Sequence, residues 1–388
     1  MAFSFPHLYQ AYLSACKGHL KRPNVIRFCF YLERELLNLE SEIAKRTYRP
    51  RKKKEFWVHD PKQRKIYESH FRDRVVHHAI CNVLVPKFER RSLPVSYACR
   101  KSFGNLKALN KLRREIQRME DSGKNPWILK VDIKKYFDSV PHERLFHLIA
   151  RDADTEEMNW ICERVVESHH VNPRKGLPIG NLTSQVFANL YLNELDHFLV
   201  HKLGFKRCFR FMDDIVILHD NPEDLKELLK KLQHFCRSQL DLEIHPNKIF
   251  LRPVHRGIEF LGFHVNSHRR IIKPSNMARI KRRLKRLDGR LKTGKESPQR
   301  IRRRLISWMG YAIHGQVKFQ LAHLTEWAKT HLSDGMALIC QSVFARPSKD
   351  QLSLKSKPQQ STEKIAHSVS YQSPLRHMRY SNQNPSFF

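Results

Sequence analysis

Three aspartates follow or interrupt apolar segments, where their carboxylates can meet. Asp132 follows the run WILKV, and Asp213 and Asp214 separate the two β-prone halves of RFMDDIVIL. An isolated Asp pair in a turn usually serves local backbone hydrogen bonds. Here, adjacent carboxylates between apolar strands repel each other and cost stability unless a cation binds. We therefore predict that Asp132, Asp213 and Asp214 share a pocket for divalent cations.

The chemistry that suits such a pocket is the transfer of a nucleotidyl group. Two divalent ions about 3.5 to 4 Å apart can stabilise both the attacking and the leaving oxygen. The chain has 72 Lys and Arg against 38 Asp and Glu, a formal net charge of +34, which favours a polyanionic partner. Nucleic acid is the partner expected first, and a basic membrane-surface protein and a ribosome-like structural protein are the alternatives.

The elements that must position these aspartates are short strands separated by long helices. The apolar patterns predict strands at Trp127–Val131, Phe209–Met212, Ile215–Leu218 and Phe260–Val265, and a helix at Thr183–Leu199. This order predicts an α+β fold in which helices back an antiparallel sheet.

The N-terminal part of the chain is predicted to be largely helical. Residues 8–46 and Phe71–Phe88 have apolar side chains at helical spacing, and a β-hairpin is expected on either side of Asp60-Pro61. From Ala278 the chain becomes helical and very basic, and after about Arg346 it has few apolar residues. We expect the tail at 346–388 to be disordered, because so few apolar residues cannot offset the entropy of ordering.

Cysteine usage and hydropathy indicate an intracellular protein. The eight cysteines include no CxxC pair, which argues against a zinc knuckle and favours reduced thiols. The first residues lack the pattern of a signal peptide, and no apolar stretch approaches the ~18 residues of a membrane span. We expect a cytoplasmic protein without a membrane partner.

Several ordered motifs between residues 50 and 300 resemble those of reverse transcriptases. KVDIKKYFDSVPHERL is similar to their first catalytic block, RFMDDIVIL to their xxDD box, and HPNKIFL with EFLGF to the two blocks that close the palm. The resemblance implies a right-hand polymerase that uses two Mg²⁺ ions, dNTPs and an RNA template. Its expected parts are an N-terminal helical and basic extension (1–55), fingers (56–126), a palm (127–275, with a fingers insertion around 150–180) and a helical basic thumb (276–345).

The same resemblance implies roles for individual residues. Asp132 and Asp213 would ligate both ions, Asp214 would complete the cluster, and Ile133 is included in the metal site. Phe137 would be the aromatic gate that excludes a ribose 2′-OH. The residues expected to bind the nucleotide are Lys62, Arg64, Phe137, Ile179, Gln185 and Lys248. Those expected to bind the template or the RNA/DNA hybrid are Arg72, Arg74, Arg100, Lys101, Arg282, Arg283, Lys285 and Arg286.

The segment GLPIGNLTSQVFANLYL distinguishes between groups of reverse transcriptases. Group II intron and retroviral enzymes usually read QG and then SP here, whereas this chain has Ile179-Gly180 and Ser184-Gln185. The pattern resembles the reverse transcriptases of diversity-generating retroelements. That family copies a template-repeat RNA into cDNA with frequent errors at adenines, together with a small basic helical oligomeric accessory protein. Because Ile179 offers only van der Waals contact where Gln could hydrogen-bond, we hypothesise that it lowers base selectivity; alternatively, it only packs beneath the template.

Two alternatives stay open from the sequence. The first is a group II intron-like, retron or phage-defence reverse transcriptase. The second is a non-catalytic RNA-binding scaffold that keeps only the polymerase shape, and the presence of all three aspartates argues against it.

Overall fold

A computed structural model of the chain describes residues 2–59, 63–169 and 174–344. The chain divides into two compact units, one that ends at Arg270 and one that begins at Ile271. The predicted tail at 346–388 lies outside the described residues. Among the described helices, none combines the length and the apolar character that crossing a bilayer requires.

The first unit combines helices with short antiparallel strands. Its helices are α1 (Phe5–Cys16), α2 (Pro23–Phe30), α3 (Leu32–Ala44), α4 (Phe71–Arg91), α5 (Asn105–Asp121), α6 (Tyr136–Ser139), α7 (His142–Ala150), α8 (Glu156–Glu167), α9 (Leu182–His197) and α10 (Pro222–Leu240). Its strands are β1 (Lys54–Val58), β2 (Arg64–Glu68), β3 (Trp127–Asp132), β4 (Cys208–Phe211), β5 (Asp214–His219), β6 (Phe250–Pro253), β7 (Ile258–Phe260) and β8 (Phe263–Val265). The fold is therefore α+β, as predicted.

A four-stranded antiparallel sheet in the order β4-β5-β3-β6 forms the centre of this unit. Its middle strands are apolar in their central residues, and Leu129, Val131, Ile215 and Ile217 are buried in the same core as the helices. Helix α9 is buried along most of its length, from Thr183 onward. Helix α9 and the middle strands therefore share one packed core.

The predicted hairpin with the Asp pair is present, with its turn one residue earlier than expected. β4 ends at Phe211, and Asp214 is already the first residue of β5, so the turn consists of Met212 and Asp213. Met212 adopts a φ of 55°, which non-glycine residues seldom adopt outside tight turns. The turn therefore presents Asp213 at the tip, next to the strand end that carries Asp214.

One predicted strand is wrong in detail. Phe260–Val265 forms a hairpin between β7 and β8, because Leu261 and Gly262 adopt φ values of 48° and 87°. Positive φ at both central residues is the geometry of a two-residue hairpin turn. Its usual sequence signal is Asn-Gly, which Leu261-Gly262 does not show, so the apolar pattern predicted a continuous strand.

The second unit is helical in its described part. It contains α11 (Pro274–Lys292), α12 (Pro298–Ala312), α13 (Lys318–His331) and α14 (Asp334–Phe344), while β9 (Arg270–Ile272) crosses the division. Along α11, Ile280, Leu284 and Leu287 are buried, as their helical spacing predicts. The basic residues between them lie on the exposed side of the helix.

Candidate active site

The three predicted aspartates lie at the same end of the two middle strands of the central sheet, β3 and β5. Asp132, the last residue of β3, is the direct cross-strand partner of Asp214 on β5. Asp213 stands in the turn beside them, and its carbonyl accepts a hydrogen bond of 3.3 Å from the backbone N–H of Ile133. Directly opposed residues on antiparallel strands have Cβ atoms about 4.5–5.5 Å apart. Asp132 and Asp214 therefore lie side by side, with Asp213 in the adjacent turn.

Two lysines balance part of this negative charge. The Lys130 ammonium lies 2.9 Å from Asp214 Oδ1 and donates to the carbonyl of Glu259 at 2.6 Å. The Lys248 ammonium forms an ion pair with Asp132. Lys248 was predicted to bind the nucleotide, and in this structure it lies directly at the acidic cluster.

The electrostatics of Asp213 reflect burial beside like charges. Burial, reinforced by the negative charge of Asp132, raises the pKa of Asp213 from 3.8 to about 6. Burial also raises the pKa of Asp214, and the Lys130 ammonium opposes that increase. The native structure therefore holds carboxylates whose ionisation is disfavoured without a neighbouring cation.

The donor set fits divalent magnesium, although the side chains are not arranged as a closed metal centre. Within the described ranges, no three His, Cys, Asp or Glu side chains are grouped so as to hold a metal ion as they stand. Two of the three carboxylates are instead engaged by lysines. Carboxylate and backbone carbonyl oxygens are the ligands that Mg²⁺ prefers. An ion that displaced Lys130 and Lys248 would meet oxygen donors only.

A short segment links the predicted gate residue to the β1–β2 hairpin. The N–H of Leu177 donates to the carbonyl of Phe137 at 2.7 Å, and the carbonyl of Ile179 accepts from the N–H of Tyr67 on β2 at 2.9 Å. Phe137 is partly buried against the core. The segment Leu177–Ile179 therefore positions Phe137 and Ile179 within one local scaffold.

Buried polar contacts hold the next turn of that scaffold. Ser69 Oγ donates to Asn181 Oδ1 at 2.8 Å, and His77 Nδ1 lies 2.6 Å from Thr183 Oγ1. Burial lowers the pKa of His77 to about 3, so this imidazole is neutral at physiological pH. These contacts connect the end of β2 and helix α4 to the start of α9, where the predicted Ser184-Gln185 motif lies.

The remaining residues predicted to bind the nucleotide are Lys62, Arg64 and Gln185. Lys62 lies outside the described residues. Arg64 is exposed on β2, opposite Val58. Gln185 is exposed on α9, and its Oε1 accepts from Cys99 Sγ at 3.3 Å. The structure therefore gives Arg64 and Gln185 accessible positions, and their roles remain predictions.

Two residues predicted to bind nucleic acid are engaged within the protein. Arg72 is only 4% exposed and forms an ion pair with Glu42, with Glu35 at 3.8 Å. Arg100 donates to the carbonyls of Leu93 and Ser96 at 2.7 and 3.1 Å. The buried Arg72 is neutralised by an internal ion pair, whereas Arg100 is partly exposed and bonded to carbonyls, and its predicted role stays a prediction.

The remaining basic predictions differ in exposure. Arg74 is half-buried, with its guanidinium 5.5 Å from the centre of the Phe71 ring. Lys101 is exposed at the surface. The four predicted residues of α11 are likewise exposed, namely Arg282, Arg283, Lys285 and Arg286. The exposed residues can reach a nucleic acid without giving up an internal ion pair.

Sequence reasoning missed Lys130 and Arg210. Lys130 stands two residues before Asp132 on β3, a spacing that places both side chains on one face of a strand. Arg210 lies in β4, three residues before Asp213, and is fully buried. A charged residue inside an apolar strand was the available signal, because such a residue requires a buried partner.

Comparison with known proteins matches residues 52–265 to the family described as reverse transcriptase (RNA-dependent DNA polymerase). The group II intron-encoded protein LtrA of Lactococcus lactis subsp. cremoris is 24% identical over 225 residues, covering 55% of this chain and 37% of that protein. The putative COX1/OXI3 intron 2 protein of Saccharomyces cerevisiae is 21% identical over 224 residues, covering 40% and 26%. The chain thus spans about a quarter to two fifths of the length of these relatives.

Telomerases are among the solved structures that match this chain. Telomerase from Candida tropicalis, in complex with a TWJ fragment of telomeric RNA, has a TM-score of 0.44 at 10% identity and covers 86% of this chain and 68% of that one. Telomerase from Candida albicans has a TM-score of 0.45 at 12% identity and covers 58% and 47%.

Proposed function

Because this chain belongs to the reverse transcriptase family, we propose that it is an RNA-directed DNA polymerase whose catalytic residues are Asp132, Asp213 and Asp214. The observation that supports the proposal is the proximity of these carboxylates: Asp132 and Asp214 are cross-strand partners, and the negative charge of Asp132 contributes to the raised pKa of Asp213. Its substrates would be dNTPs, and its polymer partners an RNA template and the RNA/DNA hybrid. The charge of +34 supports a polyanionic partner.

Each part of the site has a role in the proposed reaction. Asp132 and Asp213 would hold two Mg²⁺ ions, with Asp214 and the backbone of Ile133 completing the site. Bound there, the ions would activate the primer 3′-hydroxyl and stabilise the pyrophosphate that leaves. When a dNTP binds, the Lys248 ammonium would leave Asp132 and pair with a phosphate of the dNTP. The ring of Phe137 would occupy the space that a ribose 2′-OH needs.

We further propose that the chain serves a diversity-generating retroelement and makes error-prone cDNA from a template-repeat RNA. The support is the sequence pattern at Ile179-Gly180 and Ser184-Gln185. An apolar side chain at Ile179 leaves the sugar and base without a hydrogen bond that would favour a correct pair. In this role, a small basic helical accessory protein would bind the enzyme through the RNA.

A second candidate is a reverse transcriptase of group II intron-encoded type. The observation that favours it is the identity of the matched relatives, which include the group II intron-encoded protein LtrA. Both candidates use the same catalytic aspartates. They differ in the errors expected in the cDNA, since only the retroelement candidate predicts errors concentrated at template adenines.

Primer extension tests the polymerase proposal. The purified chain should extend a DNA primer on an RNA template with dNTPs and Mg²⁺, and EDTA should abolish extension. Activity that persists in Asp213→Asn would sink the assignment of the site.

Sequencing of the cDNA then separates the two candidates. Errors concentrated at template adenines support the retroelement role, and evenly distributed rare errors support the intron-type enzyme. In the first case, Ile179→Gln should reduce the adenine error frequency, and an unchanged frequency would remove Ile179 as its cause.

A further inference from the structure

A fully buried ion pair lies directly behind the turn that carries Asp213. The side chains of Arg210 on β4 and Asp196 on α9 are both 0% exposed. Arg210 Nε donates to Asp196 Oδ1 at 2.7 Å, and Nη2 donates to Asp196 Oδ2 at 2.6 Å. This is the two-pronged geometry in which a guanidinium and a carboxylate bind most strongly.

The remaining N–H groups of Arg210 donate hydrogen bonds to three other residues. Nη1 donates to Asn189 Oδ1 at 3.0 Å and to the carbonyl of Met212 at 3.2 Å, and Nη2 donates to Ser96 Oγ at 2.9 Å. A guanidinium has five N–H donors, and all five are used here. Lysine, with three donors on one nitrogen, could not make the same set of hydrogen bonds.

The hydrogen bond to Met212 bears on catalysis because of where Met212 lies. Its backbone has a φ of 55°, and the next residue is Asp213. The carbonyl oxygens of both turn residues accept hydrogen bonds. That of Met212 accepts from the Arg210 guanidinium, and that of Asp213 accepts from the N–H of Ile133. A turn with an unfavourable φ persists only where the surroundings determine it.

The surroundings of Arg210 are themselves fixed by backbone hydrogen bonds. The N–H of Arg210 donates to the carbonyl of Val95 at 2.8 Å, and its carbonyl accepts from the N–H of Tyr97 at 2.9 Å. Asn189 Nδ2 donates to the carbonyl of Ala98 at 2.8 Å. The segment Val95–Ala98 and helix α9 therefore hold Arg210 from two sides.

Stability alone does not account for this arrangement. A buried ion pair often contributes no more to stability than well-packed apolar residues of similar volume, because desolvation of both charges is costly. Such a pair can instead specify one geometry. We propose that Arg210, held by Asp196, Asn189 and Ser96, is a positioning residue that fixes the Met212–Asp213 turn so that the Asp213 carboxylate stays beside that of Asp132. This inference rests on the proposed polymerase function.

Isosteric substitution tests the proposal against a matched control. Asp196→Asn removes the buried charge and keeps the shape, and Arg210→Lys keeps the charge and removes the planar fork. The control is Asp152→Asn, since Asp152 is 6% exposed and pairs with Arg91 at 2.6 Å, in the loop that follows α7. Asp196→Asn and Asp152→Asn each remove the carboxylate charge of an ion pair, although the Arg91 partner of the control is 32% exposed. Only Asp196→Asn and Arg210→Lys affect the hydrogen bonds that reach the turn.

The kinetic readout is extension of oligo(dT) on poly(rA) with dTTP and Mg²⁺, under conditions where each variant is folded. We expect Asp196→Asn and Arg210→Lys to lower kcat about 10- to 100-fold, the range seen when outer residues that orient ligands are changed, with little change in KM for dTTP. Asp152→Asn should lower Tm and leave kcat near that of the unmodified chain. Equal kcat in all variants, or a decrease in kcat that only follows Tm, overturns the proposal.

A readout that does not need activity separates this inference from the proposed function. Hydrogen exchange of peptides spanning residues 208–219 should be faster in Asp196→Asn than in Asp152→Asn. An inactive unmodified chain would contradict the polymerase proposal, while exchange would still decide whether Arg210 fixes the turn. Should both Asp196→Asn and Arg210→Lys fail to fold, Ser96→Ala removes a single hydrogen bond to Arg210; faster exchange with reduced kcat supports the proposal, and unchanged values overturn it.

Discussion

At the scale of single residues, the acidic cluster combines catalytic potential with a cost in stability. Asp132 and Asp214 are opposed across two strands, and Asp213 is buried beside them. Lys130 and Lys248 neutralise two of these charges in the metal-free protein. The cluster is therefore an example of a site whose geometry suits ligand binding better than it suits folding.

We predict that Asp213→Asn stabilises the metal-free protein at neutral pH and abolishes polymerisation. The pKa of Asp213 is raised from 3.8 to about 6, so the stability linked to this group is fully present below pH 3.8 and is lost as pH rises through about 6. The neutral Asn avoids that loss. At pH 7 the variant should gain on the order of 1 to 3 kcal/mol in free energy of unfolding, measured by urea denaturation in EDTA, and its extension activity should fall at least about 1,000-fold.

The pH dependence provides the control for this prediction. The stability difference between Asp213→Asn and the unmodified chain should shrink as pH falls to 4, because Asp213 is then largely protonated in the native state. Asp121→Asn changes an exposed carboxylate at the end of α5 and should alter neither stability nor activity appreciably. A variant that is less stable at pH 7 would contradict the electrostatic explanation.

We predict that Phe137→Val allows ribonucleotides to be incorporated. The Phe137 side chain is only partly buried, and its backbone is held by Leu177, so a smaller side chain should open space without moving the segment. The preference for dTTP over UTP, as a ratio of kcat/KM values, should fall by roughly 10- to 200-fold. Phe146→Val, at another half-buried aromatic position on α7, should leave the ratio unchanged. An unchanged ratio in Phe137→Val would exclude Phe137 as the gate.

At the scale of elements, the β1–β2 hairpin approaches the predicted nucleotide-binding residue Ile179 most closely at the neighbouring Gly180. Gly180 has a φ of +119°, and a Cβ at this position would lie 2.9 Å from Ile66 Cγ2 and 3.1 Å from the carbonyl oxygen of Tyr67. The contact with Ile66 requires its side chain to shift, and the contact with the Tyr67 carbonyl is tight enough to press on β2. The absence of a side chain at Gly180 therefore allows the start of α9 to pack against the hairpin.

We predict that Gly180→Ala weakens dNTP binding by displacing this hairpin. KM for dNTP should rise several-fold, and stability should fall by about 1–3 kcal/mol because of the strained backbone and the close approach to β2. Gly104→Ala is a matched control, because Gly104 has a φ of +118° and nothing lies within 4 Å of an added Cβ. The control should be destabilised by strain but keep its KM. Equal KM values in both variants would show that the packing against β2 does not affect nucleotide binding.

Strands and helices were predicted from the sequence more accurately than contacts between residues far apart in the chain. The strands around Asp132 and the Asp pair, and the helix that begins near Thr183, were predicted from local apolar patterns, which act within a few residues of each other. The pairing of Val95–Ala98 with β4 was not predicted, since it joins segments far apart in the sequence. The burial of Arg72 was not predicted for the same reason: its partner Glu42 lies on α3, and no local pattern records that ion pair.

At the scale of the whole molecule, the excess of positive charge is distributed over both units. The formal net charge is +34, and helix α11 alone carries Arg282, Arg283, Lys285 and Arg286 on exposed positions. Exposed cations neutralise phosphates and release counterions, so affinity for nucleic acid should fall steeply with salt. Only cations that lie next to a bound phosphate contribute to this affinity, because charges elsewhere on the surface remain solvated.

We predict that α11 contributes specifically to binding of an RNA/DNA hybrid. Changing Arg282, Arg283, Lys285 and Arg286 to Gln should reduce the slope of log K against log salt by up to about 0.9 for each phosphate that the helix no longer neutralises, as measured by fluorescence anisotropy. The matched control changes four exposed cations of α10 to Gln, namely Lys226, Lys230, Lys231 and Arg237. Both variants remove four positive charges, so a general effect of net charge would shift the two slopes equally. A smaller slope in the α11 variant alone would show that these side chains bind phosphates, and equal slopes would assign the affinity to the field of the whole protein.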